Sequence, residues 1–443
     1  MARTCNDKVH LITALLGFGS VLALGLPAHA SSFGLREGWP DWWGTADAGN
    51  EAKGYDASTT WTNPAGMSLL DRHELSGGIS FIAPSTVFSG TASNPQSGVN
   101  NTGVQGGNPV APAASGAAFG VIKLSPDWRL GFSVTTPFAE RVSYPEDFVG
   151  RYQSLVSSIT DINVGIVASY KVNQHLSIGG GPNFDYLQAR LTQNLNIPVL
   201  SALTGQNPVV NVQGNSLGVG YNLGALYQFD DATRIGLDYH SRIRHNITGS
   251  QMISIPGIYS TYSPAAVALL GAADSGARTS ITLPDSVGLG IYHELTPRWA
   301  IMGSVQWTEW SLFNALNITP TNDSGSTVIT ENWRNTWFVG IGTNYQLTDK
   351  LLLQCGVAYD ESPVTTTNRT TRIPDADHYN IGFGLQYQLL PNAKFEFSYG
   401  HVFTRGGGIN NSAPGPSIAP SGTIVGRYSD FANSVTAGLK MTF

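Results

Sequence analysis

Apolar and small or polar residues alternate with period two along most of the chain. From Leu217 to Phe229 the odd positions are apolar, while the even ones are mostly Gly or polar. The same alternation runs through Tyr379–Tyr387, Ile162–Ile166 and Val435–Phe443. Period two means β-strand, with one apolar face and one small or polar face. A soluble sandwich turns the apolar face inward, whereas a transmembrane barrel turns it to lipid and lines its lumen with the other.

Connection lengths separate these readings. The pattern predicts strands near 73–92, 113–124, 127–144, 159–172, 174–195, 212–229, 232–251, 278–295, 297–313, 328–347, 349–361, 376–389, 392–407 and 430–443. Turns of one or two residues (Ser125-Pro126, Asn173, Asp230-Asp231, Thr296, Thr348, Leu390-Pro391) alternate with long segments at 93–112, 145–158, 196–211, 252–277, 314–327, 362–375 and 408–429. Short turns on one side and long loops on the other are the outer-membrane pattern. The predicted fold is therefore an all-β transmembrane antiparallel barrel of about fourteen strands. Trp128, Tyr170, Trp299, Trp307, Trp337, Tyr359, Tyr387 and Tyr399 near strand ends fit interface girdles, and the last strand ends in Phe443.

The ends of the chain refine this. Arg3 and Lys8 precede the apolar run Leu11–Leu26, and Ala28-His29-Ala30 follows, a signal peptide over 1–30. It would carry off Cys5 and leave Cys355 alone, with no disulfide framework. Residues 31–72 do not alternate and hold several Trp, Gly and Pro. A barrel of this size should keep an open lumen, and this segment is the right size to plug it. The barrel domain is then 73–443.

Composition agrees. Charged residues make up 12%, Gly numbers 51 and the formal net charge is −6. That leaves no basic footprint for nucleic acid. After residue 30 no apolar run is long enough for a spanning helix. The expected location is the outer membrane of a Gram-negative bacterium. The expected partners are its lipid and lipopolysaccharide, the barrel-assembly machinery and a hydrophobic small molecule, with the chain a monomer.

Catalytic signals are weak. Gly214-Asn-Ser216-Leu-Gly218 has the spacing of a nucleophile elbow but opens an alternating strand with no helix after it. His73-Glu74 lacks a second His, and no metal-ligand spacing, phosphate loop or cofactor motif occurs. Asp238, His240, Arg242 and Arg244 are read as lumen-facing on strand seven, where mixed charges satisfy one another or the plug. No enzymatic activity is expected; an outer-membrane lipase-type enzyme or an adhesin is the alternative of a different class. Two features point to apolar transport instead. The long segments 196–211 and 252–277 are unusually apolar, with Leu200, Leu203, Ile255, Ile258, Tyr262, Leu269 and Leu270 as candidate groove residues. Pro137 falls within strand three, where a residue that cannot donate to the ladder predicts a bulge, a kink or the strand's end.

At these residues the chain resembles the FadL/toluene-uptake family of outer-membrane transporters for hydrophobic compounds. The resemblance runs from Phe33-Gly-Leu35-Arg36-Glu37 and Asn63-Pro64-Ala65-Gly66-Met67, through Thr135-Thr136-Pro137-Phe138 and Leu283-Pro284-Asp285, to Asp360–Val364, Asn368-Arg369 and Ile373–Asp377. It implies a fourteen-stranded barrel closed by an N-terminal hatch. Ligand would be captured in a groove between the third and fourth outer loops, pass to an inner pocket, and leave sideways at a strand-three kink formed by Thr136, Pro137, Phe138 and Ala139. Asn63, Pro64 and Ala65 are the hatch motif expected to face that kink. Ala139 stands where the family often has Gly. At a carboxylate-binding place Gln193 appears, which leaves Arg190, read as inward, together with Arg242 and Arg244 as candidate partners. The resemblance implies passive uptake of long-chain fatty acids, with monoaromatic hydrocarbons as the alternative cargo. It gives no role to Trp39, Trp42 and Trp43.

Overall fold

The computed structural model describes residues 33–94, 98–322, 325–413 and 421–443; the expected signal peptide lies outside them. Fourteen strand units follow one another: β1 (Glu74–Ser93), β2 (Ala113–Lys123), β3 (Trp128–Thr135 and Ala139–Ser143), β4 (Val156–Lys171), β5 (Leu176–Asn194), β6 (Val209–Gln228) and β7 (Thr233–His240 and Ile243–Ser254). They continue as β8 (Ser275–Leu283 and Ser286–Thr296), β9 (Trp299–Thr308 and Ala315–Pro320), β10 (Thr327–Thr330 and Thr336–Thr348), β11 (Leu351–Asp360), β12 (His378–Leu390), β13 (Ala393–Thr404 and Gly408–Ala413) and β14 (Gly422–Thr442). Each pairs antiparallel with the next, and β14 returns to β1 from Glu74↔Thr442 to Ser93↔Thr423. Closure removes both sheet edges.

The sequence places β14 at 430, and the structure starts it at Gly422. There β1 runs on to Ser93 and gives β14 a partner, although Thr423, Ile424 and Val425 do not alternate cleanly. The expected loop 408–429 likewise contains the short second segment of β13, which pairs with β14.

The apolar faces point outward. On β6, Leu217 is 76% exposed and Val219, Tyr221 and Leu223 lie beside it, while Ser216 and Asn222 point in and are buried. This is the reverse of a soluble domain and fits a lipid-facing belt. Trp128 and Tyr170 pack at a tilt with ring centroids 4.7 Å apart, and Trp299 donates its indole N–H to Thr343 at 2.8 Å.

Inside the barrel sits the chain from Phe33 to Leu70. It forms short helices α1 (Pro40–Trp43), α2 (Asn50–Lys53) and α3 (Thr59–Thr62), followed by a 3-10 turn at Pro64–Leu69. Lumen-facing glycines make room for it. A Cβ at Gly356 would fall 1.9 Å from the Thr45 carbonyl oxygen, at Gly236 1.8 Å from that of Glu51, and at Gly400 2.0 Å from the Trp43 indole nitrogen. The three tryptophans, unexplained by sequence, are the hub of this packing. Trp39 and Trp42 pack on Phe119 and donate to Asp56 and Ser58, both at 2.9 Å. Trp43 packs with Ile82, Val402 and Ala432. Polar wall residues hold the segment as well: Arg234 donates to the Ala52 and Lys53 carbonyls, each at 2.7 Å, and Gln354 to Asp41 at 2.7 Å.

Two expectations about side-chain direction fail. On β7, Asp238 and His240 point in, but between the two segments the pairing with β6 slips by one residue, from Asn222↔His240 to Asn215↔Thr248. A one-residue slip moves every following side chain to the other face. Arg242 and Arg244 therefore point outward, and His245, fully buried, points in. Arg242 ion-pairs with Asp285 at 2.5 Å and Glu309 at 2.8 Å, bridging the matching break in β8. Arg190 also faces outward, in line with exposed Phe184 on β5.

Candidate functional site

The β3 wall is interrupted at Thr136–Phe138. Pairing of β2 with β3 stops at Ala118↔Val134, and the second segment of β3 pairs with β4 alone. Among the described residues no strand fills the space between Ala113–Ala117 and Ala139–Ser143. Proline removes one donor here, and the bend exposes further backbone groups that must find partners. They find them in the N-terminal segment. Leu35 donates to the Pro137 carbonyl at 2.7 Å and Ala139 donates to that of Phe33 at 2.8 Å, so Phe33–Leu35 pair antiparallel with Pro137–Ala139. On its other side Phe138 donates its N–H to the Asp161 carboxylate at 2.8 Å and accepts from the Asp161 N–H at 3.0 Å. Asp185, next to this pair, lies 3.1 Å from His245 and accepts from Asn163 at 2.9 Å.

Asn63, Pro64 and Ala65 sit elsewhere. Asn63 accepts from the Ala65 N–H at 3.0 Å, capping the 3-10 turn, and donates to Ala225 on β6 at 3.0 Å. Pro64 lies against Gly179 on β5. The residues that touch the break are Phe33 to Leu35, not Asn63 to Ala65.

Phe33 sits inside an apolar chamber. Its ring lies 5.0 to 5.8 Å from those of Phe138, Trp310, Phe313 and Trp333. The last three come from the interruptions of β9 and β10, where a 3-10 turn (Trp310–Leu312) and the stretch 331–335 carry them inward. Alternation says nothing about residues between strand segments, so these three have only their aromatic clustering as a signal. Beside Phe33 lies a cavity of about 70 Å³ walled by Ile159, Leu191, Ile247, Ile281 and Ile373. Below the break a second cavity of about 180 Å³ is more polar, bordered by Arg36, Asp47, Glu51, Asp185, Asp238 and His240. Arg36 is already engaged there, at 2.6 Å from Asp360 and 4.0 Å over the Phe338 ring.

Neither Arg190, Arg242 nor Arg244 reaches these chambers. The basic group next to Gln193 is Arg372, from the loop between β11 and β12, which donates to the Gln193 side-chain oxygen. Arg372 is buried, and among the described residues its second terminal nitrogen has no hydrogen-bond partner. Burial pulls its pKa down to about 10, partly offset by Glu331, so it stays protonated at neutral pH. It borders a polar cavity, while the next residue, Ile373, borders the apolar one.

The candidate groove residues are divided. In the two outer loops, helix α4 (Pro198–Thr204) meets α5 (Tyr259–Tyr262), followed by α6 (Pro264–Gly271), and Tyr259 donates to the Gln206 carbonyl at 3.0 Å. Leu270 is buried with Leu195, Val210 and Ile253 in a small loop core against which half-buried Ile255 packs, and Leu200 is buried as well. Leu203, Ile258, Tyr262 and Leu269 are exposed. Ser216 of the elbow-like sequence lies in the uninterrupted strand β6.

A family model described as outer membrane protein transport protein (OMPP1/FadL/TodX) matches residues 21–443. The chain belongs to this family. It is 26% identical over 420 residues to the long-chain fatty acid transport protein of Escherichia coli K12, covering 88% of this chain and 92% of that one. It is 27% identical over 422 residues to outer membrane protein P1 of Haemophilus influenzae, covering 88% and 89%. A solved Pseudomonas aeruginosa FadL homologue superposes with a TM-score of 0.85 at 22% identity, covering 93% of this chain and all of that one. The Ralstonia pickettii toluene transporter TbuX superposes at 0.64 with 17% identity, covering 92% and 99%. Like its relatives, the chain is an outer-membrane β-barrel.

Proposed function

We propose that the protein takes up long-chain fatty acids passively across the outer membrane. The carrying observation is the adjacency of Arg372 and Ile373. The loop offers a polar cavity a buried guanidinium whose second terminal nitrogen has no partner among the described residues, and it offers an apolar cavity a branched alkyl wall. That pair suits a molecule with a carboxylate at one end and hydrocarbon behind it, since a buried charge is stabilised by an opposite charge and hydrogen bonds. A monoaromatic hydrocarbon would leave the guanidinium unused. The relatives named as long-chain fatty acid transport proteins support the same reading.

In this reading the exposed apolar residues of the two outer loops gather the ligand. Its chain then takes the place of the Phe33 ring. Withdrawal of Phe33–Leu35 frees the break in β3, and the ligand leaves sideways into lipid. The N-terminal segment acts as the hatch, and nothing in the path requires a nucleotide or a cofactor.

Uptake of oleate and of toluene by cells carrying wild type or Arg372→Ala tests this. Oleate uptake at limiting concentration should fall on the order of tenfold or more, the usual consequence of losing one charge-assisted hydrogen-bonding partner, with toluene uptake unchanged. Equal loss of both, or of neither, removes Arg372 as the headgroup partner.

A further inference from the structure

Outside the transport path, the outer face of the barrel carries a basic row. Arg141 on the second segment of β3 pairs with Ser158 on β4, Ser158 pairs with Arg190 on β5, and Arg190 pairs with Gln213 on β6. All four side chains are on the outward face: Arg141, Arg190 and Gln213 are exposed and Ser158 is partly so. They border a shallow groove of about 460 Å³ on the barrel wall, with Gln188 and Asn215 below them. Lower on the same strands the outward residues turn apolar, through Ile162 and Val164, Phe184, and Leu217 and Val219. The row therefore stands at the upper rim of the lipid belt, on the long-loop side.

Its charge is unmatched. Arg190 donates to the Asn211 side chain at 2.9 Å, and among the described residues neither arginine has an ion pair. The groove is bordered by hydroxyls, amides and two guanidiniums, with no carboxylate. Arg141 and Arg190 are two strands apart, roughly 10 Å along the ladder, so both can reach one anion held between them. Guanidinium favours forked, bidentate contact with phosphate. An arginine pair at the rim of a lipid-facing surface suits an anion whose own acyl chains lie along that surface.

We propose that Arg141 and Arg190, with Ser158 and Gln213, bind the phosphorylated sugar headgroup of an outer-leaflet glycolipid. The acyl chains of that lipid lie on the apolar belt beneath. The site borders the second segment of β3, so the bound lipid flanks the outer lip of the break at Thr136–Phe138.

The test uses the purified full-length barrel in detergent, with bisphosphorylated lipid A as probe and its dephosphorylated form and inorganic phosphate as comparisons. Binding is followed by native mass spectrometry. Wild type should hold bisphosphorylated lipid A on the order of tenfold or more tightly than Arg141→Gln/Arg190→Gln, and should lose that preference for the dephosphorylated lipid. Arg141→Lys/Arg190→Lys should keep much of the binding and guards against a folding defect. Retention of a heat-modifiable gel mobility by the Gln variant confirms a closed barrel. Equal lipid A affinity in wild type and the folded Gln variant overturns the proposal. Displacement of lipid A by millimolar inorganic phosphate also overturns it, because the site would then recognise a free anion rather than a lipid.

Discussion

The rings of Phe33 and Phe138 meet edge to face with centroids 5.7 Å apart, one from the N-terminal segment and the other from the break in β3. The same stretch of chain thus does two things at once. It fills an apolar chamber, and it satisfies the backbone groups that β2 leaves unpaired. On the proposed path, a ligand that displaced Phe33 from the chamber would also strip the broken strand of its partner, because Phe33–Leu35 make both contacts.

The first expected consequence concerns Phe33→Ala. Removing a buried ring of this size destabilises its site by about 3–5 kcal/mol, here the docking of the N-terminal segment rather than the barrel. Hydrogen exchange at the amides of Leu35 and Ala139, which bridge the two stretches, should quicken markedly while strand amides of β5 and β6 stay protected. Unchanged exchange at Leu35 would show that the ring does not hold the segment.

Asp161 holds the break from the other side. Asp161→Ala leaves the Phe138 N–H, now bonded at 2.8 Å, without its acceptor, at about 1–3 kcal/mol for a buried donor. Oleate uptake should change severalfold in Asp161→Ala and little in Asp161→Asn, which keeps an acceptor oxygen. Identical rates in all three proteins would mean that the N-terminal strand contact alone sets the shape of the break.

The barrel was legible because its pattern recurs on most strands: an outward apolar residue at every second position, as from Leu217 to Leu223, and tight turns such as Asp230-Asp231. Pro137 marked its position through chemistry that no neighbour can alter, the missing N–H. Side-chain direction was legible only as far as the alternation was unbroken. Extending it through Ser241 put Arg242 and Arg244 on the wrong face, because a bulge consumes a residue and leaves no sign in composition. Arg190 was assigned by its nearness to Gln193, yet three positions along a strand reverse the face. The true neighbour, Arg372, lies 179 residues away and is brought in by a loop. The chamber aromatics Trp310, Phe313 and Trp333 escaped notice for a related reason: they lie where strands stop.

Seating of the N-terminal segment should depend on pH. Burial raises the carboxyl pKa values of Glu37 to about 7, Asp47 to about 6 and Glu51 to about 7. Each group binds its proton more tightly when seated than when in water, where carboxyls titrate near 4. Seating is then most stable at low pH and weakens as pH rises from the ordinary carboxyl range through about 7. Limited proteolysis within 33–66 should be slower at pH 5 than at pH 8. A faster or equal rate at pH 5 would show that these groups are solvated when the segment is in place.

The lumen glycines offer a way to displace residues 33–70 by changing the wall alone. At Gly356 a Cβ would lie 1.9 Å from the Thr45 carbonyl oxygen and 2.2 Å from its carbon, both main-chain atoms, so the segment itself must move. At Gly303, also on a strand, the nearest atom would be 3.4 Å away. Alanine suits a strand at least as well as glycine, which loses more backbone entropy on folding, so both variants should close into barrels. Gly356→Ala should then raise single-channel conductance for small ions in planar bilayers, while Gly303→Ala should match wild type. The difference between them isolates the position of residues 33–70 from the stability of the wall. Wild-type conductance in Gly356→Ala would mean that the segment can shift by a bond length and still seal the lumen.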